Sequence, residues 1–292
     1  MSRAIFLCIF AATVFAADTR SQRLVERLSQ EATAFEKIAP SVLGRETLVQ
    51  RAIKAAPRIR LRVGKAATAP TEPEWQQRTL VSEYGFTTFE PGGPLHELRQ
   101  VTSADGRPVK NSGPEALARI ILASNENRKR ELAEQFASHG LRGAATDFGQ
   151  IILLFAPSGI LHYEFLFQGT QNLKGTIADV FNFQQIDGPN PLTIVGAGKN
   201  IESLRISGQV WVSSGTYVPL RIVLRATSGT VEQEATVEYK VSNYAAVLPS
   251  ETHHREMQNG MLTAQNDFTY TGFRRFGATA GIVFDEETPT PK

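Results

Sequence analysis

The chain is poor in the residue types that build chemistry: one cysteine, five histidines and three methionines in 292 residues. The cysteine, Cys8, lies in the first apolar stretch. A single thiol excludes an internal disulfide and any cysteine-rich metal site, so the fold has to rest on packing. Charge of one sign is lacking too. The formal net charge is +2, and the densest basic cluster, Asn127 to Glu131, is flanked by Glu126, Glu131 and Glu134. That is the composition of a solvated helix face, and it argues against nucleic acid as a partner. Beyond the first sixteen residues the longest apolar run is Ile151 to Ala156, too short to cross a bilayer.

Catalytic and metal signatures are missing as well. No Gly-x-Ser-x-Gly elbow occurs. His96-Glu97 opens like the zinc-protease helix, but Gln100 stands where the second histidine belongs. Gly196-Ala197-Gly198-Lys199 has the composition of a phosphate loop without a parallel strand and helix around it, and a hairpin loop fits better. His253 and His254 are neighbours in a strand pattern, so they point to opposite faces and cannot chelate one ion together. The expectation is therefore no catalytic residue, no metal, no cofactor and no enzyme activity.

What is present begins with Arg3, an apolar stretch from Ala4 to Phe15 and the sequence Val14-Phe15-Ala16. This reads as a signal peptide over 1–16, cleaved after Ala16. A stretch of about 12 residues would span only about 18 Å as a helix, against a hydrocarbon core of about 30 Å. Export to the periplasm or beyond, as a soluble protein without Cys8, is the expectation.

Residues 17–284 read as one α+β domain and 285–292 as a disordered tail. N-terminal helices are expected over about 21–56. In the first, Leu24, Leu28, Ala32, Phe35 and Ile38 recur at helical spacing before Pro40; a second runs from about Arg45 to Ala56. A sheet is expected over about 79–276. Asp105-Gly106 marks a tight turn. Ser112, Pro114 and Glu115 start a helix that Gly140 ends in a left-handed conformation, with Ser124 to Glu131 facing solvent. Thr146 to Phe155 lacks a readable period and is assigned as a short capped helix.

From Leu161 onward the period is two: Tyr163, Phe165 and Phe167, then Phe181 and Phe183, then segments 206–212, 218–226, 231–241, 249–257 and 261–270. One wet and one apolar face per strand calls for a strongly curved antiparallel sheet wrapped over a few helices. If the strands around 165 and 181 form a hairpin, Phe165, Phe167, Phe181 and Phe183 share its concave side, as core or as the wall of a cavity. Trp211 falls on the polar face of its strand, either as an exposed contact or as cover for an aliphatic stem.

Several segments together resemble a family of exported proteins of acidobacterial type. They are Ala39-Pro40, Gly44-Arg45-Glu46-Thr47-Leu48-Val49-Gln50, the hairpin Val101 to Val109, and Tyr270-Thr271-Gly272-Phe273-Arg274-Arg275-Phe276. The architecture is similar to that of the LolA and LolB lipoprotein carriers and the RseB sensor domain, an open half-barrel around helices. That resemblance implies a non-catalytic carrier with an apolar cavity for a lipid or a lipoprotein acyl chain. Phe165, Phe167, Phe181 and Phe183 are then the candidate ligand residues. The alternative is an envelope protein-interaction or sensor module with a packed core, anchored on a protein partner by Trp211, Phe273 and Arg274.

Overall fold

The structure, a computed structural model, describes residues 5–54, 73–109, 116–123, 125–141, 147–189, 192–195 and 201–276. The chain opens with helix α1 (Ile5–Ile38), and Pro40 lies in the 3-10 turn that follows. The expected cleavage point after Ala16 falls within α1, and no described helix is long and apolar enough to cross a membrane. Leu24, Leu28, Ala32 and Phe35 are fully buried, so the helical period in the sequence marks the packed face.

Strands follow as β1 (Val42–Ile53), β2 (Trp75–Thr88), β3 (Leu95–Ala104) and β4 (Arg107–Pro108), then helices α2 (Ala116–Leu122) and α3 (Glu126–His139). After two 3-10 turns, Ile151–Phe155 and Ile160–His162, come β5 (Tyr163–Leu173), β6 (Thr176–Gln185), β7 (Leu192–Val195) and β8 (Ile201–Leu204). The chain then runs through β9 (Ser207–Ser213), β10 (Pro219–Ser228), β11 (Val231–Val241), β12 (Val247–Gln258) and β13 (Met261–Arg275). Eleven of these form one open antiparallel sheet in the order β4-β3-β2-β1-β13-β12-β11-β10-β9-β6-β5. Twist accumulated over that many strands curls a sheet. Here it bends round α1, whose buried side chains share one core with inward residues from β2 (Leu80, Tyr84, Phe86) to β6 (Phe181, Phe183). The expected α+β half-barrel is the observed fold.

Several expectations are corrected. Residues 42–53 form β1, not a second helix, because the segment is held between β2 and β13 along its whole length. Its inward positions are Glu46, Leu48, Gln50 and Ala52, and two polar residues among four hide the period of two. The helix expected from Ser112 to Gly140 is two helices. Asn125 caps the second by accepting from the Arg128 amide at 3.0 Å, while Ser112, Pro114 and Glu115 lie outside the described residues. Gly140 is not left-handed, with φ −75°. Nor is the basic stretch wholly wet: Lys129 is buried, donating to Thr88 O at 2.9 Å. The run ending at Phe155 is a 3-10 turn without a side-chain cap, and Thr146 is outside the described residues.

The Asp105-Gly106 turn is as expected, with φ 49° and 76°. Gly196 to Lys199 and the 285–292 tail fall outside the described residues, although β7 and β8, on either side of the former, pair antiparallel as a hairpin requires.

One glycine fixes the wall of the barrel. A methyl group at Gly208 would stand 1.8 Å from Val223 O and 2.7 Å from Phe183 Cζ, so the Phe183 ring lies across a residue that has no side chain. Gly208→Ala is expected to lower the unfolding free energy by about 3 kcal/mol or more, since main chain cannot move aside as a rotamer can. Urea denaturation measures it, and a change under about 1 kcal/mol would contradict this close approach.

Candidate functional site

The β5–β6 hairpin places Phe165 opposite Phe183 and Phe167 opposite Phe181. All four rings pack into or against the main core on the concave side. Phe181 and Phe183 are buried, whereas Phe165 and Phe167 are half-buried near the free edge. What faces them is protein. The Phe155 ring meets those of Tyr163, Phe165 and Phe183 edge-on at centroid distances of 5.7, 5.6 and 5.3 Å. The Arg20 guanidinium lies 4.6 Å over Phe167, and Ser21 Oγ donates to Phe165 O at 3.5 Å. Phe155, Phe181, Val210, Val212, Ile222 and Val237 are each 0 % exposed, so no water-sized space touches them. Sequence alternation finds these residues but cannot show that α1 and the 3-10 segment occupy the trough.

The covering segment, residues 147–162, is held differently from the strands. It places Ile151, Ile152, Phe155 and Ile160 in the core. Two polar ties join its first half to the sheet: Ile152 N donates to Tyr239 Oη at 3.1 Å, and Glu97 N donates to Asp147 Oδ1 at 3.1 Å.

Beneath the start of this segment lies a cluster that sequence reasoning missed. Arg99 Nε donates to both oxygens of Glu46 at 2.8 and 2.9 Å, and Arg99 Nη2 donates to Glu97 Oε2. The three side chains are 3 % exposed or less. The guanidinium is further enclosed by the rings of Tyr84, Phe136 and Phe268 at 5.2, 5.0 and 5.6 Å. Burial pushes the Glu97 carboxyl up to about 7 against the pull of Arg99, with Asp147 and Glu46 adding to the rise. Burial raises Glu46 as well, also opposed by Arg99. Glu97 Oε1 and Tyr84 Oη have no hydrogen-bond partner among the described residues. Both are pressed by Gly149, where a methyl group would stand 2.6 and 2.5 Å from them.

The two adjacent histidines point apart, as the strand period requires. His253 Nδ1 meets Asp267 Oδ1 at 2.8 Å on the wet face. His254 is buried, accepting at Nδ1 from Asn266 Nδ2 at 2.9 Å and donating from Nε2 to Gln233 Oε1. Its ring stacks on Phe148 at 4.8 Å, and burial lowers its pKa to about 4. Among the described residues no group of three or more His, Cys, Asp or Glu is placed to hold a metal ion.

Trp211 lies on the outer face, as the alternation places it, but is 8 % exposed. It packs with Ala178, Val180 and Val223, with Arg221 5.4 Å over the ring and Nε1 donating to Gln171 Oε1 at 3.3 Å. It covers its neighbours and does not stand out as a contact residue. Phe273 is half-buried, its carbonyl accepting from Tyr244 Oη at 3.0 Å, while Arg274 is exposed 3.8 Å from Glu83. Phe273 and Arg274 are sequence neighbours on β13, but the structure does not bring Trp211 to them: it lies on β9, across β10, β11 and β12 in the sheet.

No protein-family model and no curated protein matches the chain. The resemblance to an exported acidobacterial-type family therefore rests on the motif residues alone. Similar solved structures include a DUF1329 family protein from Desulfovibrio piger, 9% identical over 88% of this chain and 94% of that one, TM-score 0.37. Another is a protein described as an outer membrane lipoprotein-sorting domain from Vibrio parahaemolyticus, 10% identical over 87% and 94%, TM-score 0.37. A third is a LolA superfamily protein from Nitrosomonas europaea, 9% identical over 85% and 94%, TM-score 0.33. At those values the likeness transfers no residue and no activity to this chain.

Proposed function

We propose that the protein is an exported, non-catalytic carrier that takes an acyl chain, or an apolar ligand of similar cross-section, into the part of the trough beside α1 that residues 148–160 now fill. The observation behind this is how that filling is held. The aromatic wall belongs to the sheet and keeps its β5–β6 ladder without the segment, which rests on the wall through side chains and is tied to the rest of the sheet by the Ile152 amide and the Asp147 carboxylate. Burying Ile151, Ile152, Phe155 and Ile160 is worth roughly 6–12 kcal/mol at about 1.5–3 kcal/mol each, and a chain of about sixteen carbons gains about 13 kcal/mol at about 0.8 kcal/mol per methylene. Exchange of one for the other is close to balanced, as reversible loading and release require. Specificity then comes from shape, since the inner polar groups are engaged with one another, Glu46 and Glu97 with Arg99 and His254 with Asn266 and Gln233.

The test is titration of the purified protein with a fluorescent fatty acid. Saturable binding is expected, weakened about tenfold by Phe165→Ser, which removes part of the wall at its half-buried rim. A folded protein with no binding at micromolar concentration would end this reading.

A second reading is favoured by one observation, the absence of solvent-accessible surface on Phe181, Val210, Val212, Ile222 and Val237 of the inner wall. On it, the packed interior is permanent and the protein is an envelope interaction or sensor module that meets a protein partner through Phe273 and Arg274. The fatty-acid titration then stays flat, and Arg274→Glu abolishes partner binding while Phe165→Ser does not.

A further inference from the structure

We propose that Glu46, Arg99 and Glu97 form a proton-operated catch on residues 147–162: with Glu97 protonated the segment lies down over the trough, and with Glu97 ionised it is pushed off. As a gate on ligand entry this rests on the carrier reading; as a motion of the segment it does not.

The geometry counts two carboxylates against one guanidinium in a site from which water is shut out. Glu46 takes both hydrogen bonds of Arg99 Nε and is the natural ion-pair partner. Glu97 is the odd carboxylate. One of its oxygens is unpaired among the described residues, and Gly149 of the covering segment lies against that oxygen. The same segment brings a third carboxylate, Asp147, tied to the Glu97 amide. Closing it over an ionised Glu97 would bury an uncompensated negative charge, whereas a neutral carboxylic acid is tolerated there. Glycine at 149 allows the approach, since any side chain would strike Tyr84 Oη and Glu97 Oε1.

Other groups facing the catch fix the sign of its response. Arg99 from β3 and Glu46 from β1 face it directly, as do the hydroxyls of Tyr84 from β2 and Tyr270 from β13. The Tyr239 hydroxyl from β11 binds the segment. Burial raises all three tyrosines, so they stay neutral below pH 10. His96 lies 3.8 Å from Asp147, and His254 stacks on Phe148. Glu97 titrates near 7 when covered, and an exposed glutamate near 4.5. The covered state is therefore fully favoured by this group below about 4.5 and loses that advantage as pH rises through 7. His254 acts in the opposite sense. Its lowered pKa disfavours the covered state as pH falls from 6.5 towards 4, so its slope has to be separated from that of Glu97.

Amide hydrogen exchange at Ile152 separates them, because that N–H is released when the segment leaves Tyr239. The quantity read is the ratio of its rate in the wild type to that in Glu97→Gln, which cancels both the intrinsic pH dependence of exchange and the contribution of His254. Between pH 4.5 and 7 the ratio is expected to rise about tenfold per pH unit, then to level off. A flat ratio overturns the catch. Asp147→Asn keeps the oxygen that accepts from the Glu97 amide and removes its charge. It is expected to slow Ile152 exchange at pH 8 and to leave it unchanged at pH 5; equal effects at both values also overturn the proposal. All of this is measured without ligand, so a failed fatty-acid titration beside a rising ratio would discard the carrier and keep the catch.

Discussion

Arg99→Met is expected to cost about 3–5 kcal/mol of stability at pH 8, because it leaves two buried carboxylates without their shared cation. The loss should be smaller at pH 5. With the guanidinium gone, burial acts on Glu46 and Glu97 unopposed and raises both further, so the folded state holds protons that the unfolded chain releases above about 4.5. Stability of the variant then falls with rising pH more steeply than that of the wild type, in which Arg99 opposes the rise of both carboxyls. Urea unfolding at the two pH values measures the difference. A loss that is the same at both would mean that Arg99 acts through its contacts with Tyr84, Phe136 and Phe268 and not through charge.

Phe155→Ala should be of comparable size, about 3–5 kcal/mol, since it empties a fully buried site bounded by three other rings. The two functional readings part over what else it does. If the segment competes with an acyl chain for the trough, weakening it strengthens the ligand, and the fluorescent fatty acid should bind more tightly, by about tenfold or more. If the interior is permanent core, the variant is merely less stable and the titration stays flat. A stability loss below about 1 kcal/mol would show that Phe155 is not packed as described.

How much of this could be read from residue order differs across the sheet, for a physical reason. In β9 to β11 most of the outer face meets water, so the inward series Val210, Val212, Ile222, Leu224, Ala226, Ala235 and Val237 stands out against polar and charged neighbours. In β1 to β3 that contrast is lost. Leu117 of α2 and Leu132 of α3 cover the outer face at Leu43 and Leu98, so residues 97–101 of β3 are dry on both faces. Glu97 and Arg99 then look, in sequence, like the wet face around a buried Leu98, when they point to the inside. Glu46 and Gln50 disguised β1 in the same way. The aromatic quartet was legible as one face of a hairpin. Its occupation by Phe155 was not, because residues 151–155 carry no period and only the bent sheet brings them to the wall. For Trp211 the alternation named the correct face, and only the Arg221 and Val223 side chains beside it show that the ring is covered.

The strand order also bears on how the chain can be made. β1 and β13 are neighbours in the middle of the sheet, with Val42 opposite Arg275, and they are the seam between an amino-terminal block of four strands and the carboxy-terminal meander. Neither half can acquire its neighbour until β13 has been synthesised. Closing so long a loop is slow, and a growing polypeptide has no chance to lock into shape part-way. On the exported-carrier reading, such an arrangement keeps the chain threadable through a narrow translocation pore, because the seam closes only after β13 has arrived.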